Sequence, residues 1–222
     1  IMEFTQNLMR FAILMPGLLF SLSVHESAHA YTSSKYGDQT ARNLGRVSLN
    51  PLVHMDPIGT VVMPILIILF NMPLLGWGKP VPVNTFKLKP IKKGIFWVSA
   101  AGPLSNLVLA VIIAILYRIF IYSDSLYIGS LSMFALENIH YVFQMYIFLN
   151  IALFLFNLIP IFPLDGSKII WAILPRGMDD RFESTTARIG PIVLIILVFT
   201  GTFKYILIPP LEFVYKLLLI GL

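Results

Sequence analysis

Cysteine is missing altogether from the 222 residues, and charge is scarce: Lys, Arg, Asp and Glu make up 12% of the chain against 57% hydrophobic residues. The first absence removes any disulfide framework and any thiolate metal site, so a bound metal has to be held by His, Asp or Glu. Four histidines are available, His25, His29, His54 and His140. The second absence leaves too little polar surface to coat a soluble globule. With a mean hydropathy of +0.83, much of the chain must face lipid. The net charge of +5 does not point to nucleic acid, because the basic residues are scattered in loops between apolar runs, where membrane topology accounts for them. Repeats, low-complexity tracts and a dividing linker are also lacking, and the sequence predicts one membrane-embedded domain over residues 1–222. The N-terminus has no removable signal-peptide pattern, and Ile1, which precedes Met2, is set aside.

What is present is a series of apolar runs near the length of about 20 residues that a spanning helix needs. They run from about Asn7 to Tyr36, Ile95 to Ile121, Ile139 to Ile161 and Ile189 to Ile208, the last continuing past Pro209-Pro210 as a short terminal segment. A shorter run from Ile58 to Leu75 contains Pro64 and Pro73 and is marginal for a crossing. The expected fold is an all-α polytopic membrane protein, a bundle of four to six transmembrane helices with a short re-entrant or β-like loop. The Gly- and Pro-rich stretch Gly76 to Asn84 is read as extended, either an edge strand or a plain connection. Five lysines between Gly76 and Gly94, set against a Lys- and Arg-free stretch from Tyr122 to Asn138, place the former in the cytoplasm. Arg42 and Arg46 make the first loop basic too, so Ile58–Leu75 would enter and return.

His25-Glu26-Ser27-Ala28-His29 is an H-E-x-x-H sequence within an apolar helical run, and its i, i+4 spacing puts both imidazoles on one face where they can share a metal. Glu26 then lies beside the metal, placed to take a proton from the attacking water and return it to the leaving amine. Three ionisable side chains in five residues of a membrane helix cost about 2.5–3.5 kcal/mol for an acidic group near the centre unless they meet a polar interior or a metal. Hydrolytic zinc sites use three protein ligands and keep one position open. For the third, Asp165 stands at the end of Asn157-Leu158-Ile159-Pro160-Ile161-Phe162-Pro163-Leu164-Asp165-Gly166, where the prolines end the preceding helix. An ordinary Asp-Gly turn is the other reading of that residue.

H-E-x-x-H in one membrane helix together with N-x-x-P-x-x-P-L-D-G at the end of a later one resembles the site-2 protease family of intramembrane zinc metalloproteases. Ala101-Gly102-Pro103-Leu104-Ser105-Asn106 and Gly76-Trp77-Gly78 extend the resemblance over nearly the whole chain. The resemblance implies regulated intramembrane proteolysis, with a single-span membrane protein in the lipid bilayer as substrate and one catalytic Zn2+. It makes His25, His29 and Asp165 the zinc ligands, Glu26 the catalytic acid/base and Asn157 a candidate for holding the substrate backbone or the oxyanion. Ser167 stands where many relatives carry a second glycine. No PDZ-like or CBS-like segment is visible, so the expectation is the minimal core of the family.

His54, in Asn50-Pro51-Leu52-Val53-His54-Met55-Asp56-Pro57, is read either as an extra ligand or gate over the site or, preferentially, as part of a solvated loop whose Asp56-Pro57 starts the next segment. Gly76 and Gly78 are possible substrate-binding positions if their stretch pairs with an unwound peptide. Asn106 either orients substrate or knits two helices together. His140 reads as interfacial. The competing function is a metal-ion transporter or channel using the same His/Glu/Asp cluster. Two more alternatives are a scaffold without activity and a zincin whose third ligand is Glu137, Glu183 or Glu212.

Overall fold

The computed structural model describes residues 2–62, 78–126 and 132–220, and these are built of helices, with no strand among the described residues. In chain order, α1 spans Met2–Lys35, α2 and α3 are the single turns Thr40–Asn43 and Pro51–His54, a π-helical turn covers Pro57–Val62 and a 3-10 turn covers Thr85–Lys87. Helices α4 to α8 then span Ile91–Leu126, Met133–Asn157, Asp165–Ile173, Met178–Phe199 and Phe203–Leu218. Four of them, α1 from Phe11 onward, α4, α5 and α7, are long and apolar enough to cross a membrane. The chain is therefore an all-α, multi-pass integral membrane protein.

Helix α4 is the centre of the bundle, packed against α1, α5 and α6. Small residues make its close approaches. Ala110 and Ala114, one turn apart on α4, are buried with Ile147 and Ile151 of α5 and Leu211 of α8, the pattern by which membrane helices gain dispersion contact without a hydrophobic drive. On α1, Gly17 faces the ring of Tyr146, whose hydroxyl donates to Ile13 O at 2.8 Å.

The outward stripe of α4 fixes the level of the bilayer. Trp97, Leu104, Val108, Ile112, Ile119 and Tyr122 are all exposed at helical spacing, apolar in the middle and aromatic at both ends. Trp97 and Tyr122 lie about 37 Å apart at 1.5 Å per residue, which matches a hydrocarbon core of about 30 Å with interfacial aromatics on either side. Lys93 stands exposed one turn outside Trp97. Helix α1 ends at the same side, with Lys35 Nζ 5.2 Å from the ring centroid of exposed Tyr31.

One expectation is corrected. The last apolar run, expected from Ile189 to Ile208, is two helices. α7 starts earlier, at Met178, because its charged first turns (Asp179, Asp180, Arg181) were invisible to an apolar count. It ends at Phe199, and Gly201 turns the chain at φ +67, a left-handed conformation that glycine adopts at no steric cost. Pro209-Pro210, read as the break, lies inside α8. α7 and α8 both start at the end of the bundle where α4 begins and α5 closes, and α8 runs from there to the other end. Asp179 pairs with Lys92 at 2.7 Å, Phe203 meets Phe156 with ring centroids 5.3 Å apart, and Arg118 caps α8 through Leu218 O and Ile220 O, both at 2.8 Å.

For Gly76–Asn84, read as an edge strand or a plain connection, the described residues match the plain connection. Gly76 and most of the Ile58–Leu75 run lie outside the described residues. Residues 78–84 form no regular element and join no ladder among the described residues, where Pro80 and Pro82 have no N–H to give. The remaining donors are used singly: Lys79 N bonds His54 O at 2.8 Å and Asn84 N bonds Asp38 Oδ2 at 2.7 Å.

Candidate metal centre

Helix α1 carries His25 and His29 one turn apart, both buried, with their ring centroids 4.6 Å apart. Asp165 reaches them from the first turn of α6, where the positive end of the helix dipole favours a carboxylate. That placement depends on glycine. A Cβ on Gly166 would fall 2.3 Å from Leu158 O and 2.5 Å from Ile159 O, so only glycine lets α6 begin against the turn that closes α5. Ser167 donates its hydroxyl to Leu164 O at 2.7 Å in the same turn.

The three ligand atoms form a near-equilateral triangle. His25 Nε2 and His29 Nε2 are 3.0 Å apart, and Asp165 Oδ2 is 3.2 Å from the first and 3.1 Å from the second. A point about 2.0–2.2 Å from all three, the usual zinc–ligand distance, lies roughly 1 Å off their plane, so a position opposite the triangle stays open.

The hydrogen bonds behind the rings decide which atoms face the triangle. Asn150 Nδ2 donates to Tyr146 O at 2.9 Å, which turns Asn150 Oδ1 toward Asn106 Nδ2 at 3.1 Å; Asn106 Nδ2 also donates to Ser21 O at 3.2 Å. Asn106 Oδ1 is thereby left to accept from His25 Nδ1 at 2.7 Å. His29 Nδ1 donates to Val98 O at 2.6 Å. Both imidazoles thus carry their proton on Nδ1 and present Nε2 lone pairs to a carboxylate. Three electron-rich atoms converging within 3.2 Å repel one another unless a cation lies among them, so the donor set fits a divalent metal of the zinc type. Gly102 closes one side of the cluster: a Cβ there would lie 2.3 Å from His29 Nε2 and 2.6 Å from His25 Nε2.

Glu26 reaches residues 78–81. Its Oε2 accepts from Val81 N at 3.0 Å, and its Cγ lies 3.8 Å from the Cβ position of Gly78. Buried Arg46 holds this segment down by donating to Val53 O, to Lys79 O at 2.6 Å and to Pro80 O at 3.0 Å. Neither Arg46 nor Val81 was singled out in the sequence. A lone arginine in a loop carries no motif, and a backbone N–H leaves no trace in residue identity.

The remaining candidates are placed as follows. Asn106 is fully buried behind His25, with its carboxamide occupied, and is not open to substrate. Asn157 is the last residue of α5 and donates Nδ2 to Leu153 O at 3.0 Å; no bond ties it to the cluster. His54 corrects the preferred solvated-loop reading, being only 2% exposed. Nor does it join the ligand triangle, since His25, His29 and Asp165 are the group that converges among the described residues. Its Nε2 donates to Ser48 O at 2.8 Å and its Nδ1 is buried without a partner among the described residues. Burial and the Arg46 guanidinium hold its pKa below the ordinary imidazole value, against the pull of Ser48 O and Glu26. Asp56 caps the π-helical turn through Ile58 N at 3.0 Å and Gly59 N at 2.8 Å. His140 Nδ1 and Tyr117 OH share a hydrogen bond of 2.9 Å, far along the bundle from the His25–His29–Asp165 cluster.

A helical membrane bundle with a buried two-histidine, one-carboxylate cluster and a glutamate beside it defines an integral-membrane metalloprotease. Comparison with known proteins carries this further. The chain belongs to peptidase family M50, the site-2 protease family, whose profile matches residues 13–197. It is 41% identical over 197 residues to "Putative zinc metalloprotease YwhC" of Bacillus subtilis, covering 88% of this chain and 84% of that protein. It is 34% identical over 163 residues to "Putative zinc metalloprotease Rip2" of Mycolicibacterium smegmatis and 28% over 213 residues to "Zinc metalloprotease MJ0392" of Methanocaldococcus jannaschii, spanning 55% and 49% of their lengths. No solved structure gives a significant match. The chain is a zinc metalloprotease.

Proposed function

We propose that the chain is an endopeptidase that cuts single-span membrane proteins within or near their transmembrane segment, with His25, His29 and Asp165 holding zinc and Glu26 as the acid/base. The observation that carries this reading is the convergence of three buried, metal-compatible atoms with an adjacent anchored carboxylate at membrane depth. Val98 and Gly102, which touch the cluster, are one and five residues beyond Trp97, about 1.5 and 7.5 Å along α4. The site therefore sits just inside one interface. The lysines at that end, Lys87, Lys89, Lys92 and Lys93, assign it to the cytoplasmic side by the positive-inside rule. At such depth a helical substrate needs to unwind only its end before an amide is exposed.

Bound zinc supplies a Lewis acid that acidifies water and polarises the scissile carbonyl. The protein's share is orientation and proton movement. Asn106 and Val98 O fix both imidazoles, and Val81 N–H holds one oxygen of Glu26 so that the other is presented for the proton. Glu26 takes that proton from water at the carboxylate and delivers it to the departing nitrogen. Asn157 reaches substrate by exchanging its Leu153 O bond for one to the peptide. A transporter reading is disfavoured by what lies beyond the site. Next along the bundle the buried residues Ala110, Ala114, Ile147 and Ile151 offer an ion no ligands, and Tyr117, His140 and Gln144 beyond them are bonded to one another.

The test is cleavage of a panel of single-span substrates by wild type and Glu26→Gln in detergent, with zinc quantified in both. One zinc in each and cleavage by wild type alone is the expected result. Cleavage by both removes Glu26 from its role, and cleavage by neither with zinc bound sends the reading back to metal flux in proteoliposomes.

A further inference from the structure

Phe86 is 88% exposed, more than any other large hydrophobic side chain described, and it sits on the Thr85–Lys87 turn between two fixed points. On one side Asn84 N is held by Asp38 Oδ2 at 2.7 Å; on the other Lys89 N is held by Tyr36 O at 2.9 Å. Between them Leu88 is fully buried against Ile95 and Val98 of α4. The fit is close: a Cβ on Gly94 would come within 2.8 Å of Leu88 Cβ. The turn therefore folds back along the first two turns of α4 instead of hanging into water.

This packing sets its depth. Leu88 touches Ile95 and Val98, the residues that bracket Trp97, and Phe86 is two residues, about 7 Å of chain, from Leu88. Phe86 is thus held at the level of the interfacial Trp97 and of the Tyr31–Lys35 pair that ends α1. Around it Lys87, Lys89 and Lys93 are exposed, with Lys87 Nζ 3.4 Å from Thr40 Oγ1. Two carboxylates of this end are already engaged, Asp38 by Thr40 and Asn84, and Asp179 by Lys92. What remains outward is an aromatic ring among ammonium groups at headgroup level, a surface complementary to anionic lipid.

We propose that the Thr85–Lys87 turn is an interfacial anchor in which Phe86 enters the headgroup region of the bilayer that α1 and α4 cross, while Lys87, Lys89 and Lys93 bind the phosphates of anionic phospholipids. The anchor is independent of the catalytic reading and would operate in a chain that cleaves nothing.

Because the chain has no cysteine, Phe86→Cys accepts a single nitroxide label, and Val108→Cys on the lipid-facing stripe gives a reference. The full chain is reconstituted in phosphatidylcholine vesicles with and without phosphatidylglycerol, and each label's collisions with oxygen and with a water-soluble nickel chelate are compared. The label at position 86 is expected to favour oxygen, less than at 108, and to move deeper when phosphatidylglycerol is present. In native mass spectrometry wild type should retain phosphatidylglycerol over phosphatidylcholine roughly tenfold, a preference that Lys87→Gln/Lys89→Gln/Lys93→Gln abolishes. A label that meets mainly the nickel chelate in both lipids overturns the anchor, as does one shielded from both agents, which would mean that protein covers Phe86. Retention of lipid preference by the triple variant overturns the assignment of the three lysines.

Discussion

Replacing Gly102 by alanine tests the metal centre with a single methyl group. The added Cβ would lie 2.3 Å from His29 Nε2, 2.5 Å from His29 Cε1 and 2.6 Å from His25 Nε2, where ordinary carbon–nitrogen contact begins near 3.5 Å. Relief requires about 1 Å of movement, several times the 0.2 Å tolerance of a metal–ligand bond. The rings cannot turn aside without breaking the bonds to Asn106 Oδ1 and Val98 O. Removing an outer partner of a ligand alone costs about 10–100-fold in affinity; displacing two ligands should cost at least about 100-fold, roughly 2.8 kcal/mol. Alanine is the better helix former by about 1 kcal/mol, so α4 itself should not weaken. Zinc affinity by competition with a fluorescent chelator, with helicity followed by circular dichroism, separates the two effects. A Gly102→Ala protein that binds zinc as tightly as wild type would refute the convergence of these side chains on Gly102.

Asn106→Leu removes the acceptor of His25 Nδ1 and should lower zinc affinity about 10–100-fold, with Asn150→Leu, one bond further out, doing less in the same competition assay. Arg46→Gln withdraws a charged donor from three backbone carbonyls, each such bond contributing about 1.5–3 kcal/mol; the Lys79–Val81 segment should loosen from Glu26, so cleavage falls at least about tenfold while zinc content stays at the wild-type level. For His54, the folded pKa lies below the unfolded value near 6.5, so the unfolded chain binds the extra proton and stability falls as pH drops below about 6.5. Thermal melting in detergent from pH 8 to 5 should show a shallower decline in His54→Gln than in wild type, with zinc binding unchanged by the substitution.

The parts of this molecule that were legible in the sequence are those written in side-chain chemistry at fixed spacing. His25 and His29 share a face because a helix repeats every 3.6 residues, and the crossing segments of α1, α4 and α5 announce themselves because lipid admits little else. Asp165 was legible through its Pro-rich approach. What stayed hidden is carried by the backbone or by three-dimensional packing. Val81 reaches Glu26 with an amide that every non-proline residue has, and Val98 holds His29 with a carbonyl. His54 looked solvated because it stands in a loop whose Asp56-Pro57 starts the next segment, yet Arg46 folds the loop over it. The helix break at Gly201 was assigned to Pro209-Pro210 because proline is the louder signal, although a glycine at positive φ turns the chain more sharply.

The ligand triangle joins α1 to α6 across sequence separations of 136 and 140 residues, from His29 and His25 to Asp165. A growing chain therefore holds two imidazoles at membrane depth with nothing opposite them until α4 and α5 have been inserted and the α6 turn has left the ribosome. Zinc capture is then a late event of biogenesis.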